Sequence, residues 1–258
     1  PNNCDFCDVV KLVGRKYRTK SIEQIMTEVK NSYALGAETV FFSDDNFVVN
    51  RKFTIELLSE LIEWNKALSR PLSFSTQTTV QVGADEEILR LMADAKFSVL
   101  FMGLETTRKE CLREVNKGQM VRFDPEKVIP KISSYGIIPF LGMIVGFDHD
   151  DVSIFDEFER FLDKTSSPIA SISILNAPKH TALYSRMKKE GRLIEDFRGF
   201  WHFSTNIVPK QMSWEELHSG HSDLFRRIYE PENFEKRLIN WLAGVKYFTP
   251  LYSNRKRN

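Results

Sequence analysis

Apolar positions switch between helical and extended spacing along most of the chain. Ile22, Ile25, Met26, Val29 and Tyr33 recur at three- to four-residue intervals, after a capping box of Ser21 and Gln24 and before a Gly36 stop. Glu38 to Ser43 then reads as a buried strand, with Asp44-Asp45-Asn46 as the loop leaving it. Lys52 to Asn65 is helical, with Phe53, Leu57, Leu58, Leu61 and Ile62 on one face. Leu72 to Thr76 predicts a strand, Asp85 to Ala95 a helix and Phe97 to Met102 a strand. The helical pattern after Thr107 breaks near Gly118 and resumes at Asp124-Pro125, an N-cap followed by proline at the first helical position. Ile137 to Val145, Val152 to Lys164 and Ile169 to Leu175 complete the series as strand, helix and strand.

Strands that start roughly 25 to 40 residues apart with helix between them predict βα units around a parallel sheet. Five are visible, and a sixth is expected ahead of the first cysteine. From Asn176 the pattern changes. Thr181 to Glu190 is helical and stopped by Gly191, and an aromatic connection follows with Phe197, Phe200, Trp201, His202 and Phe203. Ser213 and Glu216 then form a capping box, and two helices broken at Pro231 follow. The expected division is a barrel-type domain over 1–176 and a helical extension over 177–258.

The bulk numbers exclude several classes. A chain of 258 residues with 42% hydrophobic and 28% charged positions can bury a full globular core. Its net charge of +1 gives no reason to expect nucleic acid or an anionic membrane as the main partner. The basic tail Arg255-Lys256-Arg257 reads as a solvated end. Three cysteines make no disulfide framework at this length, and no apolar run approaches the ~20 residues of a membrane span. A reduced, cytoplasmic setting is the default expectation. Because the chain opens on Pro1, it is expected to be an excised fragment.

Reactive groups in parallel α/β folds gather at the carboxyl ends of strands. There stand Asp44-Asp45-Asn46, Gln77, Gly103 with Glu105, Gly146 with Asp148, and Asn176. Asp44 and Asp45 fit either a cation-binding pair or a helix N-cap pair. Gly142 and Gly146 weaken a strand unless something approaches its backbone, or a bulge needs them. Cys4 and Cys7, at C-x-x-C spacing, suit one metal, neighbouring irons of a cluster, or a redox dithiol. Cys111 reads as an inert helical residue, and His218 and His221 as a solvated helix face. His202 and its aromatic neighbours read as a substrate pocket or as a packing seam.

Supplying one cysteine before Pro1 makes the opening C-P-N-N-C-D-F-C, a C-x3-C-x2-C loop that resembles the cluster loop of the radical S-adenosylmethionine (radical SAM) superfamily. Cys4 and Cys7 match its second and third cysteines, and Phe6 its aromatic residue. Phe41-Phe42-Ser43-Asp44-Asp45-Asn46-Phe47 is similar to the F-x-D-D-x-F segment of cobalamin-associated members, and Gly103-Leu104-Glu105-Thr106 to G-x-E-S/T. Gly142 to Gly146 resembles the G-x-I-x-G strand that lies against adenine, with Val145 inside it, and Gln77 falls where a residue often faces the cofactor. Pro178-Lys179-His180-Thr181-Ala182-Leu183-Tyr184 and Glu190-Gly191-Arg192-Leu193 resemble the family's P-G-T-P-L-Y and E-G-R-L segments, with Lys179, His180 and Ala182 departing from them. Met212 to Glu216 and Tyr229-Glu230-Pro231 look like the extension of hopanoid-methylase-like proteins.

The resemblance implies a partial (β/α)6 TIM-like barrel, its first strand truncated, with a C-terminal helical extension. It implies a 4Fe-4S cluster held by Cys4, Cys7 and a third cysteine, S-adenosylmethionine on its open iron, and cobalamin carried by a further N-terminal domain. One-electron cleavage then yields a 5′-deoxyadenosyl radical, and the first expectation is cobalamin-dependent methylation of an unactivated carbon. An oxidative cyclase or a methylthiotransferase is the alternative within the family, and a zinc-binding structural module the alternative outside it. The implied partners are a small or lipid-like substrate and an electron donor of ferredoxin or flavodoxin type. With two motif cysteines, this stretch alone is expected to be inactive.

Overall fold

The computed structural model describes residues 4–14, 16–199 and 202–247. Pro1, Asn2, Asn3, Phe200, Trp201 and the basic tail therefore lie outside the described residues. Five strands lie side by side in chain order: β1 (Thr39–Phe42), β2 (Ser73–Thr78), β3 (Phe97–Glu105), β4 (Ile138–Val145) and β5 (Ile169–Ile174). Every neighbouring pair is parallel. The crossovers are helical: α3 (Arg51–Lys66), α4 (Glu86–Ala95), α5 (Lys109–Glu114) with α6 (Pro125–Ser133), and α7 (Ser153–Thr165). Two helices precede β1, a five-residue α1 (Val9–Val13) that the sequence pattern does not reveal, and α2 (Ile22–Ala34). The expected α/β class and partial barrel are what the strand order delivers, because consecutive right-handed crossovers put every helix on one face.

That face is the core. Along β2, burial alternates strictly, with Phe74, Thr76 and Thr78 inward against helices and Ser73, Ser75 and Gln77 on the other side. Leu57, Leu58 and Leu61 of α3, Leu89 and Met92 of α4, and Phe158 and Leu162 of α7 pack onto Leu100, Met102, Leu141 and Met143 of the central strands. Each such side chain contributes about 1.5–3 kcal/mol by leaving water. The helix-free face carries Gln77, Phe101 and Phe140 in register, and Gly103, Gly142 and Ser171 in the next row toward the carboxyl rim.

Local signals place the helices. Ser21 with Gln24 and Ser213 with Glu216 both close full capping boxes. Asn50 caps α3, Asp85 caps α4 and Asp124 caps α6. Asn50, and not the Asp44-Asp45 pair, thus supplies the N-cap that the sequence left open.

The extension comprises α8 (Ala182–Lys189), α9 (Trp214–Tyr229) and α10 (Pro231–Gly244). It closes the outer edge of β5. The Tyr229 hydroxyl donates to the Ala170 carbonyl at 2.6 Å and accepts the Ala170 amide at 3.0 Å. His221 sits 2.8 Å from the Ile172 carbonyl, and the Ile174 amide donates to the His202 carbonyl at 3.1 Å. Groups of alternate residues on an edge strand face outward, so these three partners satisfy an edge that otherwise invites pairing. His221 is accordingly buried, and burial lowers its pKa, which corrects its reading as a solvated residue. At the amino ends of the strands, the buried Arg237 of α10 donates to the carbonyls of Ser167 and Ile228 and pairs with Asp163 of α7. Among the described residues, no helix is long and apolar enough to cross a membrane.

Candidate active site

Cys4 and Cys7 lie in one turn, closed by the Cys7 amide donating to the Cys4 carbonyl at 3.1 Å. Both thiols are free and half-buried. The turn is gripped from two sides: the Asp5 amide donates to Val115 at 3.0 Å, and the Asp5 carbonyl accepts from Leu183 at 2.9 Å. Phe6 packs into a small apolar cluster with Val115, Phe147 and Leu183, apart from the main core.

The turn thereby meets the carboxyl end of β3. Glu105 ends that strand with φ +67°, where the ladder to β4 also slips register. Its carboxylate accepts from Lys117 Nζ at 2.5 Å, and the same ammonium donates to the Gly103 carbonyl at 2.8 Å. The two side chains are only 7% and 12% exposed, for Lys117 and Glu105 respectively, so this is a pair largely removed from water. Cys4 feels it. Burial pushes the Cys4 thiol up, the Lys117 charge pulls it down, and Glu105 pushes it up again.

Asp44 and Asp45 follow β1 on the same rim. Among the described residues neither forms a hydrogen bond or ion pair, and both are exposed. Partial desolvation, then the neighbouring charge of Asp45, raises the Asp44 carboxyl above its ordinary range. Their loop is pinned beside Gln77, whose carbonyl accepts the Phe47 amide at 3.0 Å. Gln77 points onto the helix-free face, half-buried.

The glycines have a close neighbour of the protein's own making. A Cβ on Gly142 would stand 2.9 Å from the Phe101 ring, and one on Gly103 would stand 2.5 Å from the Glu105 carboxylate. Gly146 turns the chain out of β4 at φ +100°, and its amide donates to the buried Asp150 carboxylate at 2.9 Å. Val145 turns its side chain into the core, fully buried, and its carbonyl accepts the Leu175 amide at 2.8 Å. It therefore supports the rim and offers no side chain to it.

Two polar rim residues are structural. Asp148 pairs with Arg186 and Arg192, which hold its carboxyl below the usual range against the desolvation that raises it. Asn176 binds the carbonyls of Ile174 and Ser204. Cys111 is inert as expected, fully buried and donating to Asp150 at 3.3 Å. His202 reaches Ser173 at 3.1 Å on the rim of β5. A cleft of about 640 Å³ among α5, α6 and α7 lies on the helix side and holds none of these groups. Lys117 is a residue that sequence reasoning missed; a lone lysine after a short helix carries no motif.

The family model described as the radical SAM superfamily matches residues 1–162. The chain belongs to the radical SAM superfamily. Residues 181–256 match a domain of unknown function, DUF4070. An uncharacterized methyltransferase of Synechocystis sp. is 33% identical over 97% of this radical SAM chain and 47% of its own length. The hopanoid C-2 methylase of Rhodopseudomonas palustris is also 33% identical, over 98% of this chain and 47% of its own. The chain thus spans about half the length of the curated relatives it matches. The radical SAM methyltransferase TsrM from Kitasatospora setae, solved with cobalamin and a 4Fe-4S cluster, superposes with TM-score 0.71 over 90% of this chain and 50% of that one. At 15% identity, that likeness speaks for the fold alone.

The donor set suits iron. Two soft sulfurs in one turn match neighbouring metals of a cluster. Among the described residues, no three His, Cys, Asp or Glu side chains gather as a metal site. A third sulfur is thus not supplied by the described rim.

Proposed function

We propose that this chain carries the catalytic barrel of a cobalamin-dependent radical SAM methyltransferase acting on an unactivated carbon of a small or lipid-like substrate. The observation that carries it is the turn of two free thiols set against the Lys117–Glu105 pair at the carboxyl rim. A 4Fe-4S cluster bound there would supply the electron for cleavage of S-adenosylmethionine.

The chain's own residues bind and orient. Cys4 and Cys7 would each ligate an iron of that cluster. Asp44 and Asp45, without a hydrogen bond or ion pair among the described residues, offer anionic acceptors to the methionine ammonium. Lys117 spends two of its three N–H donors on Gly103 and Glu105, leaving the third for the methionine carboxylate. Gly103 and Gly142 keep the strand backbone free of side chains beside Glu105 and Phe101, on the part of the rim where adenine would lie, and Gln77 stands one row below. Phe101 and Phe140, edge to face at 5.1 Å, form an apolar floor that keeps water from a reactive radical.

Methylation stands first because the relatives that span nearly the whole chain are methylases by name. Cobalamin is inferred from the same branch, and an electron donor of ferredoxin or flavodoxin type from the need for one electron per cleavage. The test is production of 5′-deoxyadenosine by the anaerobically reconstituted, intact gene product with dithionite and S-adenosylmethionine. The product is expected from wild type and absent from Cys4→Ala. Its absence from a wild type that holds a full cluster contradicts the reading.

A further inference from the structure

The cysteine turn rests on a seam. Its Asp5 amide is held by Val115, at the end of α5 in the barrel, and its Asp5 carbonyl by Leu183, at the start of α8 in the extension. Phe6 packs on a cluster drawn from both sides, with Cys111, Val115 and Phe147 from the barrel and Leu183, Met187 and Ile207 from beyond it. The turn's own position therefore depends on how far α5 stands from α8.

A buried ion network fixes that distance. Glu114 directly precedes Val115, and Arg186 stands one helical turn after Leu183. The Arg186 guanidinium donates to Glu114 at 2.7 Å and to Asp148 at 3.1 Å. Asp148 returns its amide to Glu114 at 3.0 Å and pairs with Arg192 at 2.7 Å. Glu114 and Asp148 are 5% and 9% exposed and Arg186 is 29% exposed, so water weakens these bonds only from the guanidinium side. A two-pronged guanidinium between two carboxylates defines a separation as well as a charge balance.

We propose that the helical extension is a working part of the cluster site, and that Arg186 is a positioning residue that sets the gap gripping the Cys4–Cys7 turn. This gives the matched domain of unknown function a role: it supplies half of the cluster loop's seat. The inference rests on the cluster reading given above.

Arg237 provides the control, because it also joins extension to barrel from a buried position, but at the amino ends of the strands. Arg186→Met and Arg237→Met are made in the intact gene product and reconstituted anaerobically. Iron and sulfide per chain, the electron paramagnetic resonance spectrum of the reduced protein, and S-adenosylmethionine affinity are measured beside the thermal midpoint. Arg186→Met is expected to lose at least about half its iron and to bind S-adenosylmethionine about tenfold more weakly, a change of one decade in Kd. Arg237→Met is expected to keep both while its midpoint falls comparably.

Wild-type iron, spectrum and affinity in Arg186→Met overturn the inference, as does an equal loss in both variants. Arg186→Lys guards against misfolding: it keeps the charge without the fork. Reduced iron in folded Arg186→Lys supports the role, and wild-type iron and affinity in it count against the role. A wild type that takes up no iron removes the cluster reading itself, and this inference with it.

Discussion

Replacing Lys117 with methionine tests the rim's electrostatics most sharply. Methionine keeps the length of the stem and removes the ammonium, so Glu105 and the Gly103 carbonyl lose their shared donor together. The pair is 7% and 12% exposed at 2.5 Å, close enough to full burial that the stranded carboxylate is not rescued by water. Breaking a buried pair from one side costs about 3–5 kcal/mol, and the residual exposure points to the lower end, about 3 kcal/mol. For a chain of this size each kcal/mol moves the midpoint by about 2–4 °C, giving a fall of about 6–12 °C. Glu105→Gln alone keeps an oxygen that accepts from Lys117 and is expected to cost less. In the double variant no charge is left unpaired, so it is expected to be more stable than Lys117→Met, with a coupling of about 1–3 kcal/mol. Urea denaturation followed by circular dichroism measures all four corners of the cycle. A loss below about 0.5 kcal/mol in Lys117→Met, or no recovery in the double variant, refutes the reasoning.

Tyr229→Phe strips both partners from Ala170 on the edge of β5 and is expected to cost about 1–3 kcal/mol in urea denaturation; an unchanged midpoint shows that the edge is satisfied otherwise. Asp150 titrates against stability. Burial, opposed by hydrogen bonds from Cys111, Phe147 and Gly146, raises its carboxyl from 3.8 to about 6. The folded state therefore holds this proton more tightly than the unfolded state does. Its stabilisation is full below the unfolded value and is lost as pH rises through the interval up to about 6. Asp150→Asn should flatten that stretch of the pH–stability curve, and an identical slope in the variant argues against a raised carboxyl.

The fold was readable where the signal is local. Two capping boxes, Pro125 after Asp124 and the apolar runs of β3 and β4 each specify their element within a few residues. Strand ends drifted by one to three residues, most at β3, where pairing to β4 continues past Met102 through Gly103 and, after a register slip, Glu105. The five-residue α1 is too short to show a period. At the site, the cysteines were legible from their C-x-x-C spacing, and the Asp44-Asp45 pair and Glu105 because a carboxylate is an unusual residue type to end an apolar run. Lys117 was not, because its significance exists only once β3 brings Glu105 to it. Nor were Arg186 and Glu114, which meet across 72 residues of chain. His221 was misread for the same reason: helical spacing cannot say that the Ile172 carbonyl of an edge strand waits opposite it.

The gly-rich strand carries a related lesson. Gly142 looked like a place for a ligand to approach, and the atom that approaches in the protein is the Phe101 ring. The space that a side chain at Gly142 would need is taken by that internal contact.

Metal content decides the matter most directly. The intact gene product, reconstituted with iron and sulfide under anaerobic conditions, is assayed for iron, sulfide and zinc and by electron paramagnetic resonance after reduction. About four irons and four sulfides per chain, lost in Cys4→Ala and Cys7→Ala, with a spectrum that shifts when S-adenosylmethionine is added, is the expected result. A single tightly held zinc with no iron, or a cluster indifferent to both substitutions, contradicts it.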